Sequence, residues 1–160
     1  MNNTKRYAQL AILSSLAIVI NIIENLFIPP FYFGIRFGLA NIISLITIKK
    51  MSLKDMCIVV LLRLTLGNLI KGTIFGTTFW ISSLGVILSS IIVIVLDRLK
   101  SSIVFTSMMS SIFHTFGQLL VVCFIYGEIN LIMMLPVLIV SSLATGVLTG
   151  YISKEVLRRL

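Results

Sequence analysis

Acidic side chains are scarce in this chain. Its 160 residues hold five Asp and Glu against thirteen Lys and Arg. The two aspartates, Asp55 and Asp97, stand alone, and no DDxxD occurs. Metal-assisted diphosphate chemistry needs Mg²⁺ held by clustered carboxylates, so the chain is not expected to perform it. No Walker motif is present, and energy from ATP would have to come from another subunit. One His and two Cys without CxxC spacing supply no zinc set. Cys57 and Cys123 both fall in apolar runs and are expected to be buried and reduced. No cofactor and no metal are implied.

Polar surface is equally short. The chain is 58% hydrophobic and only 11% charged, with a mean hydropathy of +1.13. That leaves too little polar area to coat a water-soluble core. Apolar runs near the ~20 residues needed to cross a bilayer recur throughout. The expectation is an all-α integral membrane protein. Its formal charge of +8 does not point to nucleic acid, because the basic residues flank apolar runs rather than forming a stripe with interleaved aromatics. The positive-inside rule and anionic lipid headgroups account for them better. The first run is too long, and too polar at its end, for a cleaved signal peptide.

Six transmembrane helices fit, at about 7–28, 36–49, 53–71, 75–97, 103–126 and 131–153, in one domain over residues 1–160. The first ends at Pro29-Pro30, which cannot continue a helix. FYFGIRFG then reads as an interfacial loop or re-entrant turn. The core of the second span, Leu39 to Ile48, makes only about 15 Å of helix, so it must borrow from that loop. Trp80 suits a headgroup boundary. Pro136 sits near the start of the sixth span. Ser141, Ser142, Ala144, Gly146 and Gly150 along it allow close helix packing. Ten of the thirteen basic residues lie in four clusters: Lys5 and Arg6; Lys49, Lys50 and Lys54; Arg98 and Lys100; Lys154, Arg158 and Arg159. Six spans put all four on one face, assigned to the cytoplasm, with both termini inside.

Arg36, Arg63 and Lys71 break that pattern. Arg63 lies about 15 Å along its helix, near the midplane, where an isolated charge costs about 2.5–3.5 kcal/mol on insertion scales. It is either a structural cation tied to neighbouring helices or a cation facing a substrate cavity. Asn21, Glu24 and Asn25 share a face of the first span; Glu24 could pair with Arg63, Arg36 or Lys71, structurally or as part of a site. Asn41 opens the second span, and Asn68 with Lys71 ends the third. His114 and Gln118 stack one turn apart on the fifth. A lone membrane His is equally a helix-to-helix hydrogen-bonding group. Together Arg36, Asn41, Arg63, Asn68, Lys71, His114, Gln118 and Glu24 form a predominantly basic set in the middle and outer half. They suit a small anionic or amphiphilic solute. Ala8, Ala11 and Ser15 give the first helix a small face for packing, within the protein or against a partner.

The motifs KRYAQLAILSSLAIVINIIENLFIP, GIRFGLANIISLI, LLRLTLGNLIKGTIFG, SSIFHTFGQLL and LPVLIVSSLATGVLTG occur in that order. This pattern resembles the bacterial membrane family called heptaprenyl diphosphate synthase component I, or Gx transporter family. The resemblance covers nearly the whole chain, with GLAN, LLRxxLGxLxxG and HxxGQL its most specific parts. It implies kinship with the substrate-binding S components of energy-coupling-factor (ECF) transporters, with their six-helix fold, in the bacterial cytoplasmic membrane. The implied partners are a coupling protein and an ATPase pair. S components meet the coupling protein through small residues of the first helix, often AxxxA; here Ala11 and Ser15 hold the spacing, with Ser in place of the second Ala.

Three readings follow. The leading one is an S-component-like binding subunit for uptake of a small anionic or amphiphilic compound, linked to isoprenoid or quinone metabolism as the family name hints. The second is a non-catalytic membrane accessory subunit of a heptaprenyl diphosphate synthase. A self-sufficient carrier or channel is the third; it lacks a paired intramembrane carboxylate for proton coupling, unless Glu24 serves.

Overall fold

The computed structural model describes residues 3–27 and 39–159. Among the described residues all regular structure is helical. The order is α1 (Asn3–Phe27), α2 (Asn41–Lys50), α3 (Leu53–Ile70), α4 (Thr77–Arg98), α5 (Ile103–Tyr126), a 3-10 helix (Ile129–Met134) and α6 (Leu135–Arg159). Ser52 caps α3 by accepting from the Asp55 amide at 3.2 Å. Ser102 caps α5 in the same way, from the Phe105 amide at 3.3 Å. Gly127 stops α5 in the left-handed conformation that glycine adopts without a Cβ penalty. Pro136 falls in the first turn of α6, where a missing amide hydrogen costs no helix bond.

The sixth predicted span therefore divides into a 3-10 turn and an α-helix that runs on to Arg159. The interfacial loop and Arg36 lie outside the described residues. Among the described residues, four segments are long and apolar enough to cross a membrane: Thr4–Glu24, Thr77–Arg98, Ile103–Tyr126 and Ile129–Arg159. α2 is not among them. It has ten residues, and every one from Asn41 to Ile48 is buried. A helix apolar all round belongs in an interior, and α2 packs against all five other α-helices. Among the described residues it lies at the centre of the bundle. α3 is not among the four segments either, because its 18 residues include three charges, Lys54, Asp55 and Arg63.

The other helices divide around α2. α5 lies between α4 and α6, held by small residues at backbone distance. A Cβ on Gly117 would come 2.9 Å from the Leu84 carbonyl oxygen, and one on Gly146 would come 2.7 Å from Met108 Cα. Hydroxyls join the same seam: Ser107 to Thr149 and Thr115 to Ser142, each at 2.7 Å. α1 packs on α3. Leu10, Ala17, Ile42, Ile43, Ile46 and Val59 form the buried cluster between α1, α2 and α3. The outward surface is apolar on every long helix, with Ile12, Leu61, Ile91, Phe124 and Val140 among its exposed side chains. Cys57 is exposed on that surface, which corrects its expected burial; Cys123 is half-buried, and both are free.

The basic clusters converge on one end. Arg6 on α1 binds Asp55 at the start of α3 through Nε at 2.9 Å and Nη2 at 2.6 Å, and the Ser52 hydroxyl donates to the same carboxylate at 2.7 Å. Lys49, closing α2, pairs with Asp97, closing α4, at 2.6 Å. Val156 and Leu157 of α6 pack beside Leu10. The ion pairs fix helix ends to one another, and both aspartates are engaged in them. Because Gly146 meets backbone, not a yielding side chain, Gly146→Ala is expected to destabilise the protein by about 1–3 kcal/mol. Ala144→Val, on the exposed face of the same helix, should leave stability within about 0.5 kcal/mol. Unfolding midpoints in mixed detergent micelles check both.

Candidate functional site

The most unusual feature of the interior is a charge. Arg63 is buried in the middle of α3. Its Nη1 and Nη2 both donate to Asn41 Oδ1, at 3.2 Å each. Asn41 is itself buried at the first turn of α2. Those contacts use two of the five donors that a guanidinium carries. Glu24, buried on α1, lies close enough for its charge to act on Arg63.

These groups surround a cavity of about 20 Å³ lined by Asn21, Glu24, Ala40, Arg63, Leu64, Asn68, Ser82, Val86, His114 and Gln118. The lining comes from α1, α3, α4, α5 and the residue preceding α2. That volume suffices for about one water molecule. Glycines bring the walls together. A Cβ on Gly85 would come 2.8 Å from the His114 carbonyl oxygen and 2.8 Å from Gln118 Cγ, so only glycine lets α4 sit against that face of α5. A Cβ on Gly67 would lie 3.5 Å from Asn21 Oδ1, an ordinary contact.

Of the eight sequence-predicted binding residues, Glu24, Arg63, Asn68, His114 and Gln118 line the cavity, and Asn41 supports Arg63 from behind. Asn68 is largely committed locally. It donates to the Leu64 carbonyl at 2.7 Å and accepts from Thr73 Oγ1 at 3.1 Å. Lys71 is not part of the lining. Its ammonium donates to the Asn21 side chain and reaches the Asn21 carbonyl at 3.4 Å, tying α3 to α1. Arg36 lies outside the described residues. Ser82 is the site residue that sequence reasoning missed: its buried hydroxyl borders the cavity and has no hydrogen-bond partner among the described residues. The Ser82-Ser83 pair inside an apolar helix was the available signal. The Asn41 amide nitrogen is likewise buried without a partner among the described residues.

Ala8, Ala11 and Ser15 are exposed on α1, and the Ser15 hydroxyl folds back on the Ile12 carbonyl at 2.9 Å. This small face is not used for packing within the described chain. Among the described residues, no group of three His, Cys, Asp or Glu side chains is placed to hold a metal ion.

The family model described as heptaprenyl diphosphate synthase component I matches residues 13–156. The chain belongs to that family. All the cavity residues lie within the matched segment of this synthase component I chain, as does Ser15, whereas Ala8 and Ala11 precede it. Searches among curated proteins and among solved structures found no match.

The site's internal support is open to test. Asn41→Leu removes the carbonyl that accepts from a buried guanidinium, and is expected to destabilise the protein by about 1–3 kcal/mol. Ser82→Ala removes a hydroxyl that makes no hydrogen bond in this state and should be near neutral. Chemical unfolding of the two purified variants gives the comparison; equal losses would show that Asn41 does not support Arg63.

Proposed function

We propose that this component I chain is a membrane-embedded, non-catalytic subunit that binds a small anionic or amphiphilic compound in the manner of an ECF S component. The observation that carries this reading is the placement of Arg63. A buried guanidinium with three donors beyond its bonds to Asn41 faces a polar cavity where α1, α3, α4 and α5 meet. An ionisable residue inside a membrane segment is by default a candidate for function, with its partner named. In this reading the basic end faces the cytoplasm, by the positive-inside rule, and the cavity opens to the opposite side. Arg63 holds the negative group of the solute. Ser82, His114 and Gln118 contribute hydrogen bonds, and Glu24 balances Arg63 when the site is empty. A volume of about 20 Å³ is a closed state, so binding requires the walls to separate. The exposed Ala8, Ala11 and Ser15 face would meet a coupling protein that works with an ATPase pair. The solute would connect with isoprenoid or quinone metabolism.

A second reading is favoured by the family description: the chain serves as a membrane accessory subunit of a heptaprenyl diphosphate synthase. Its aspartates sit in ion pairs at the helix ends, so the transfer chemistry would belong to the partner.

Affinity purification from the native membrane separates the readings. Recovery with an ATPase pair and a coupling protein supports uptake; recovery with a soluble prenyltransferase supports the accessory role. For the first, mass spectrometry of the purified protein should reveal a retained anionic or amphiphilic compound. Arg63→Ala should reduce its uptake at least about tenfold, the effect of losing roughly 1.4 kcal/mol of binding. Arg158→Ala, at the basic end, should leave uptake close to wild type. Undiminished uptake by Arg63→Ala overturns the site assignment.

A further inference from the structure

We infer that the basic end carries a second site, distinct from the interior cavity, that holds the headgroup of a single-charge anionic phospholipid. A cleft of about 500 Å³ opens there between the end of α2, the α4–α5 turn and the last third of α6. Its lining is cationic at Lys49 and Lys154 and apolar at Ile103, Val104 and the exposed ring of Tyr151. The combination of ammonium groups and apolar side chains matches an amphiphile. A free inorganic anion would leave the apolar part of the lining unused.

The charge balance selects the head. Lys49 is neutralised by Asp97 at 2.6 Å. Lys154 has no carboxylate within ion-pairing distance among the described residues, and Glu155 turns instead to Arg158 and Arg159. One neutral pair plus one cation leaves a net charge of one in the cleft, which a phosphodiester such as phosphatidylglycerol complements. The amides of Ile103 and Val104, in the first turn of α5, have no intrahelical acceptor and add donors for phosphate oxygens. The Ser102 hydroxyl caps only the Phe105 amide. Gly150 brings α6 against Val104, 2.8 Å from its Cα for an added Cβ, and so sets the floor of the cleft. The lipid chains would leave past Tyr151 along the apolar outer face.

Native mass spectrometry of the full chain released from detergent tests this, with phosphatidylglycerol or phosphatidylcholine added at matched concentrations. Wild type should retain phosphatidylglycerol in preference to phosphatidylcholine. Lys154→Gln should weaken that retention about fivefold, the factor equivalent to ~1 kcal/mol for one basic residue at an anionic surface. Arg158→Gln, which leaves the cleft intact, should change it less than about twofold. Tyr151→Glu places a negative charge on an exposed wall position and should abolish the preference without depending on how Lys154→Gln folds. Equal retention of the two lipids, or equal losses in the Lys154 and Arg158 variants, overturns a specific site. Displacement of the lipid by millimolar inorganic phosphate shows an anion site instead and overturns the lipid assignment. These outcomes are independent of solute binding at Arg63.

Discussion

The bonds from Arg63 to Asn41 are the constraint around which the interior is arranged. A guanidinium in the middle of a bundle loses its hydration, and the loss is tolerable only where fixed acceptors replace water. Asn41 supplies one because α2 is enclosed and its first turn is buried beside Arg63. Glu24, arriving from α1, brings the opposite charge into the same space.

Two kinds of helix contact surround that centre. α4, α5 and α6 meet through Gly85, Gly117, Gly146 and Gly150 with backbone against backbone, and hydroxyl pairs stitch the α5–α6 seam. A Cβ added at any of these glycines would come within 2.9 Å of the facing helix. α1 and α3 meet through the apolar cluster that holds Leu10, Ala17 and Val59, with polar clasps besides, Lys71 with Asn21 and Arg6 with Asp55 at the basic end.

The broad architecture was readable because its signals are local. Apolar runs bounded by basic clusters gave helix limits within a few residues, and the position of Arg63 within an apolar run pointed to the buried cation that the fold encloses. What could not be read depends on three-dimensional neighbours. Leu39 to Ile48 is apolar in either a span or a core helix, and periodicity does not distinguish them. Lys71 has the composition of a ligand but the geometry of a clasp between two helices. Asn68 serves its own turn. Ser82 was hidden because a serine in an apolar helix usually bonds back to its own backbone, as Ser83 does to the Phe79 carbonyl at 2.7 Å; only the packing reveals that Ser82 does not.

The family description and the chemistry of the chain meet at its aspartates. Diphosphate ionisation requires carboxylates that converge on a metal, whereas Asp55 and Asp97 are drawn to separate lysine and arginine partners that fasten helix ends together. Freeing either carboxylate would loosen the bundle where its basic clusters gather. Both aspartates are committed to ion pairs, while buried polar groups gather around a cation.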